Sequence, residues 1–250
     1  MKKFPKINLH IHSDFSDGKN SIMQIVQSAL KSDLEYIAVT DHFTDSWKEW
    51  VSSLKNEEKV SEYLRELFQA QNFLKFKKKK LMLLKGLEID LSSSENFIRK
   101  IHPSRFDLIL FEYLENVETL AFLKNILTFW KKKSSNMVNF PILGLAHFDP
   151  SFFIYDNLDI LIYFLKDNNI YFEFNPRYPN YYSRRNLRFF EEIKDANIPV
   201  GIGCDSHKNI NLDHIQEPLE MISYYNLENN FQILLDILRN KFNVFAENSS

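Results

Sequence analysis

Ile7-Asn8-Leu9-His10-Ile11-His12, followed by Ser16-Asp17-Gly18, is an apolar run that ends on polar side chains. The same design recurs along the chain. Strand-like segments are Ile7–His12, Tyr36–Thr40, Leu81–Leu87, Phe106–Phe111, Ile142–Ala146, Ile170–Phe174 and Val200–Gly203. After the first, they close on or just before Asp41-His42, Glu88, Glu112, His147, Asn175-Pro176-Arg177 and Asp205-Ser206-His207. Short, nearly continuous apolar runs suit strands buried on both faces of a parallel sheet. Polar groups gathered at the C-terminal ends of successive parallel strands mark the active-site face of a barrel.

The intervening stretches read as helices. Ser21–Lys31 puts Ile22, Ile25, Val26 and Ala29 on one face, with Ser21 as N-cap. A long amphipathic run lies within Trp47–Lys80, and Val117–Lys133, Ile154–Lys166 and Ser183–Asp195 follow the same logic. Helical segments around Leu219–Tyr225 and Leu227–Asn240 complete the chain. Strand-helix alternation predicts an α/β fold with a parallel sheet and right-handed crossovers. Seven such units predict a closed barrel one unit short of the usual eight, as a single domain over residues 1–250.

Composition narrows the function. With 5 Gly in 250 residues, a Gly-rich phosphate loop has little room, while 23 Phe can fill a large core. A net charge of −2 carries no nucleic-acid signature for the whole chain. The Lys77–Lys80 run reads as a solvated helix end complementing the dipole. Cys204 is the only cysteine, so no intrachain disulfide can form, which agrees with a reducing cytosol. Met1-Lys2-Lys3 is basic, but no apolar signal-peptide core follows it. No window approaches the ~20 apolar residues of a membrane helix. The expectation is a soluble, cytoplasmic protein with no membrane partner.

His10 and His12, two apart on a strand, point to one face at roughly 6–7 Å spacing along it. Two neutral imidazoles placed so can grip one ion. Asp205 and His207 repeat the spacing, Asp41-His42 is a charged pair at a strand end, and Glu88 could bridge two ions. His with Asp and Glu, without Cys, suits several hard-to-borderline divalent metals.

In this order, His10-Ile11-His12-Ser13, Ser16-Asp17-Gly18, Thr40-Asp41-His42, Gly86-Leu87-Glu88, His147 and Gly203-Cys204-Asp205-Ser206-His207 resemble the PHP (polymerase and histidinol phosphatase) family. The resemblance runs from about Ile7 to His207. It implies a distorted seven-stranded (β/α)7 TIM-like barrel with two or three divalent metal ions, Zn, Mn or Fe. It also implies hydrolysis of a phosphate ester with a metal-bridging hydroxide as nucleophile. The substrate is then a small phosphorylated molecule, either a phosphomonoester, as for histidinol phosphatases, or a small phosphodiester. Carried onto this sequence, the resemblance gives His10, His12, Glu88 and Asp205 to a first metal, Glu88 and His147 to a second, and Asp17, His42 and His207 to a third. Arg177 would hold the phosphate with its planar guanidinium. Asp205 would orient the attacking water or take its proton, and a metal-bound water or a nearby His, with His207 the candidate, would protonate the leaving group.

Two positions depart from the family pattern. Asn8 stands where an Asp is usual, and Asn supplies no negative charge to orient an imidazole. No His ends the fourth strand; Glu112 shares the parity of that position and is the candidate substitute. Other classes share parts of this pattern. Amidohydrolase-like barrels also begin with HxH, but many use a fourth-strand Lys that Phe106–Leu114 lacks. A TatD-type nuclease would cut DNA, which the charge disfavours for long nucleic acid. A non-catalytic RNA-processing scaffold would have lost its donors, whereas this chain keeps them. His102 and His214 read as surface or capping residues. Tyr181, Tyr182, Arg184 and Arg185 fit either a substrate entrance or a helix start. No motif fixes an oligomeric state.

Overall fold

The computed structural model describes residues 4–46, 51–133 and 140–247, with side chains through residue 242. Its strands are β1 (Ile7–Ile11), β2 (Tyr36–Val39), β3 (His42–Phe43), β4 (Met82–Asp90), β5 (Leu108–Glu112), β6 (Ile142–Leu145), β7 (Ile170–Phe174) and β8 (Val200–Ile202). The helices are α1 (Ile22–Lys31), α2 (Glu57–Phe76), α3 (Glu95–Ile98), α4 (Val117–Lys133), α5 (Leu158–Asn168), α6 (Leu187–Asp195), α7 (Gln216–Tyr224) and α8 (Glu228–Glu247). All strand pairs are parallel, in the order β1-β2-β4-β5-β6-β7-β8, with β3 paired to β4. The ring closes through a bridge from Ile11 to Ser206 just past β8, where the His12 N–H donates to the Ser206 carbonyl at 3.0 Å. The result is the seven-stranded, nearly closed α/β barrel that the sequence predicts.

The strands are buried almost throughout, as their apolar runs require. Much of the Phe content packs helix onto sheet beside β7. Phe172 meets the rings of Phe189 and Phe190 at 5.3 and 5.5 Å, and Phe190 stacks on Tyr225 at 4.2 Å. Tyr182 belongs to this core, with its ring 5.4 Å from Phe174, so it is no entrance residue. Ser21 caps α1: its hydroxyl accepts from Gln24 N while its own N–H donates to Gln24 Oε1 at 3.0 Å. Such a cap contributes about 0.5–2 kcal/mol.

Several boundaries differ from expectation, three regions most. The run expected within Trp47–Lys80 gives a helix only over Glu57–Phe76, because Asn56 caps it by accepting from Lys59 N at 2.9 Å. Residues 47–50 lie outside the described residues. Past Val39 the chain bends and resumes as β3, where His42 pairs with Glu88 and Phe43 with Ile89. With β3 on one side and β5 on the other, β4 continues to Asp90. Glu88, expected just after a strand, is thus inside one. Ser183–Asp195 begins with a 3-10 turn at Arg184–Asn186 before α6.

Candidate metal centre

The C-terminal ends of the strands bring every predicted donor into one pocket. β1 carries His10, with His12 just past its end, β3 carries His42, and β4 and β5 carry Glu88 and Glu112. His147 follows β6, and Asp205 and His207 follow β8. Asp17 comes from the turn after β1. Donor atoms fall into groups lying within 4.8 Å of one another: His12, Asp17, His42 and His207; His10, Glu88 and His147; His10, His12 and Asp205; and His42, Glu88 and Glu112. His12 therefore sits between the expected first and third positions. Glu112 faces His42 more closely, at 3.4 Å, than it faces His147, at 4.0 Å. His102 and His214 are exposed, as expected of surface residues.

Glu88 is the centre of the pocket. It is fully buried, and neither carboxylate oxygen makes a hydrogen bond of good geometry. Imidazole nitrogens of His42, His10, His147 and His12 face it at 2.8, 3.3, 3.3 and 3.5 Å. His10 Nε2 and His12 Nε2 point at each other across 3.1 Å. A buried carboxylate that makes no hydrogen bond of good geometry, ringed by four imidazole nitrogens, needs positive charge between them, supplied by imidazolium protons or by a metal ion. The donor set therefore fits divalent ions.

Electrostatics carry the same signature. Burial alone would lower His10, but Glu173 and Glu88 hold it well above the usual histidine value. Burial also opposes protonation of His42, His147 and His207, and carboxylates again raise each: Glu88 chiefly for His42 and His147, and Asp17 and Asp205 for His207. His12 is the exception: burial and the neighbouring His42 pull it down to about 4. A metal needs neutral imidazoles, so uptake must expel the protons these carboxylates stabilise, and affinity falls as pH falls. Zinc titration calorimetry in buffers of different ionisation enthalpy is expected to show net proton release at neutral pH. Uptake with no proton release would contradict this account.

Strain marks the same face. His147 and Asp205 adopt φ of 34° and 46°, and Tyr113, after β5, adopts 65°. Left-handed backbone is uncommon outside glycine. The other such residues, Asp33, Lys78, Asn157, Asn169, Asn197 and Asn226, belong to none of the donor groups. Most of them, like Asp205, are Asn or Asp, whose short polar side chains tolerate it, so Tyr113 is the most strained of the three here. Arg177 lies half-exposed at the rim. Its Nη1 donates to Asp205 Oδ2 at 2.7 Å and to the Asp205 carbonyl at 2.9 Å, and lies 2.8 Å from His207 Nδ1. The Tyr178 ring lies 4.8 Å from that of His147, and Tyr181 stacks on Tyr178 at 5.3 Å. Arg185 instead pairs with Asp149 at 3.7 Å.

Sequence reading marked Asp41 as half of a charged pair without its partners, and missed two further buried carboxylates, Asp90 and Glu173. Asp41 accepts from Ser13 N at 2.9 Å and from the Ser13 and Ser16 hydroxyls, tying the turn after β1 to the β2–β3 bend. Burial, partly offset by those hydroxyls, pushes it up to about 6. Asp90 accepts from Thr44 Oγ1 at 2.9 Å and from the Ser46 and Ser92 hydroxyls. Glu173 lies in the middle of β7. A charge inside an apolar strand run such as Ile170-Tyr171-Phe172-Glu173-Phe174 is the available signal, because it must have partners. Asn8, for its part, does not reach the His10 ring. Its side chain accepts from His10 N and Cys204 N and donates to the Leu212 carbonyl at 2.9 Å, joining β1 to the segment after β8.

The PHP domain family matches residues 8–139, just over half of the chain. The chain belongs to the PHP family, a family of metal-dependent phosphoester hydrolases. A histidinol phosphate phosphatase from Lactococcus lactis subsp. lactis, complexed with zinc, L-histidinol and phosphate, has a similar fold. It aligns at a TM-score of 0.64 and 18% identity over 89% of this chain and 94% of its own. A structure from the pair YwqE of Bacillus subtilis and CpsB of Streptococcus pneumoniae, metal-dependent tyrosine phosphatases, aligns at 0.54 and 15%, over 87% and 86%. No curated protein matches the chain. Among the described residues, no helix is long and apolar enough to cross a membrane.

Proposed function

We propose that this chain is a metal-dependent phosphomonoesterase acting on a small phosphorylated substrate. The observation that carries the reading is the buried Glu88 carboxylate, which lacks hydrogen bonds and faces imidazoles from β1, β3 and the end of β6. His10, His12, Glu88 and Asp205 would hold one ion, Glu88, His147 and Glu112 a second, and Asp17, His42 and His207 a third. Divalent ions there would supply Lewis acidity and an activated water at neutral pH. Arg177, half-exposed at the rim, exchanges its Asp205 bond for a phosphate oxygen and offers a planar pair of donors to it. Asp205, released by that exchange, accepts a proton from the attacking water. In a two-ion centre that leaves His207 free of metal, this residue, partly exposed beside both, is placed to give a proton to the leaving oxygen; in a three-ion centre that proton would come from water. The zinc-, histidinol- and phosphate-bound neighbour of the same fold supports a small monoester over a long polymer.

The test is elemental analysis of untagged protein together with turnover of p-nitrophenyl phosphate and bis-p-nitrophenyl phosphate in Mn²⁺ or Zn²⁺. Two or three ions per chain and preference for the monoester are expected. In the double variant His10→Ala with His12→Ala, both metal content and turnover are expected to collapse. Protein that holds no metal and turns over neither ester would sink the reading.

A further inference from the structure

Glu173 belongs to none of the donor groups, yet it touches two of their members. His10 Nδ1 lies 3.0 and 3.2 Å from its two oxygens. The backbone N–H of His147 donates to Oε2 at 2.8 Å, and Asn175 Nδ2 donates to the same oxygen at 2.9 Å. An ionised carboxylate only accepts, so the His10 proton facing it sits on Nδ1. When the ring is neutral, that leaves the Nε2 lone pair directed at His12, Glu88 and Asp205, at 3.1, 3.3 and 3.7 Å. The amide bond to His147 anchors a residue whose backbone is left-handed. The room for this carboxylate is built in: a Cβ on Gly203 would come within 1.8 Å of Glu173 Oε1.

We propose that Glu173 is the positioning residue of the metal site, fixing the His10 ring with its proton on Nδ1 and the His147 loop through its amide. The inference rests on the metal-site reading above. It also explains why Asn8 suffices in its position: the negative charge behind His10 comes from β7, not from two residues upstream. A carboxylate behind a ligating imidazole sets its tautomer and orientation and raises its basicity.

Glu173→Gln discriminates sharply, because Gln has one acceptor where Glu has two. If its carbonyl keeps the His147 and Asn175 donors, its NH2 faces His10 Nδ1. The ring must then accept there and carry its proton on Nε2, where the ion is to bind. Zinc affinity by chelator competition is expected to fall about 10–100-fold, with Glu173→Asp falling less. Long-range proton–nitrogen spectra of histidine-labelled, zinc-free protein at alkaline pH are expected to move the His10 proton from Nδ1 to Nε2. An affinity within twofold of wild type, or a His10 tautomer unchanged by the substitution, overturns the proposal. Where Glu173→Gln does not fold, the wild-type spectrum decides: a neutral His10 ring protonated on Nε2 refutes it. If wild-type protein takes up no zinc, the phosphoesterase reading fails, while the zinc-free tautomer still decides the role of Glu173.

Discussion

Glu88→Gln is expected to strip the protein of most of its metal and to lower p-nitrophenyl phosphate turnover by at least ~10³-fold, the scale of several kcal/mol of lost metal-ion stabilisation. The substitution keeps the shape of the side chain and removes its charge. Glu88 is shared by two donor groups, so two positions lose a ligand at once. Its carboxyl is held well below the usual carboxylate range: burial pushes it up, and the His10 and His42 charges more than reverse this. Removing that charge also releases the imidazoles. His10, His42 and His147 each owe part of their raised proton affinity to Glu88, so in the metal-free variant all three are expected to titrate at lower pH. Elemental analysis and turnover check the first effect, and histidine proton spectra check the second. A variant that retained its full complement of metal would remove Glu88 from the centre of the site.

Much of this was legible because the chemistry lies where local rules place it. Strands buried on both faces must be apolar, so the polar residue that ends each run stands out, and His10, His42, His147 and Asp205 were readable one strand at a time. Alternation with amphipathic helices then fixed parallel pairing. What escaped depends on partners far apart in the chain. Asp41 was readable as a charge at a strand end, but not its bonds to Ser13 and Ser16, which turn the backbone between β2 and β3 so that His42 pairs with Glu88. In the sequence alone Asn8 reads as a lost negative charge behind His10, because its partners, Cys204 and Leu212, come from the other edge of the barrel closure. Glu173 serves histidines from β1 and β6, and nothing near it in sequence announces them. Charge placement is thus a property of the closed ring, whereas donor identity is a property of each strand.

Gly203→Ala tests whether that ring closure and the site are one structure. A methyl group there would lie 1.8 Å from Glu173 Oε1 and 2.6 Å from both Glu173 Cδ and His10 Cβ. None of these neighbours is a free chain end. Glu173 is buried and bonded on both oxygens, and His10 is fully buried on β1. Gly203 itself is held to β7, with its N–H donating to the Phe174 carbonyl at 3.2 Å. Either the end of β8 moves away from β1, loosening the Ile11–Ser206 bridge, or Glu173 leaves its place behind His10. Overpacking of this kind destabilises by about 1–3 kcal/mol, which for a chain of this size lowers the melting temperature by roughly 2–12 °C. Zinc affinity is expected to fall with it, since both routes disturb His10. Glu173→Gln, by contrast, adds no volume: it is expected to weaken zinc binding, and to change metal-free melting little at alkaline pH, where His10 is neutral and no buried ion pair is lost. Measuring both variants for metal-free melting and zinc affinity separates packing from positioning. If Gly203→Ala melted within a degree of wild type and bound zinc equally well, β8, Glu173 and His10 would not be in the close contact on which the geometry of the site depends.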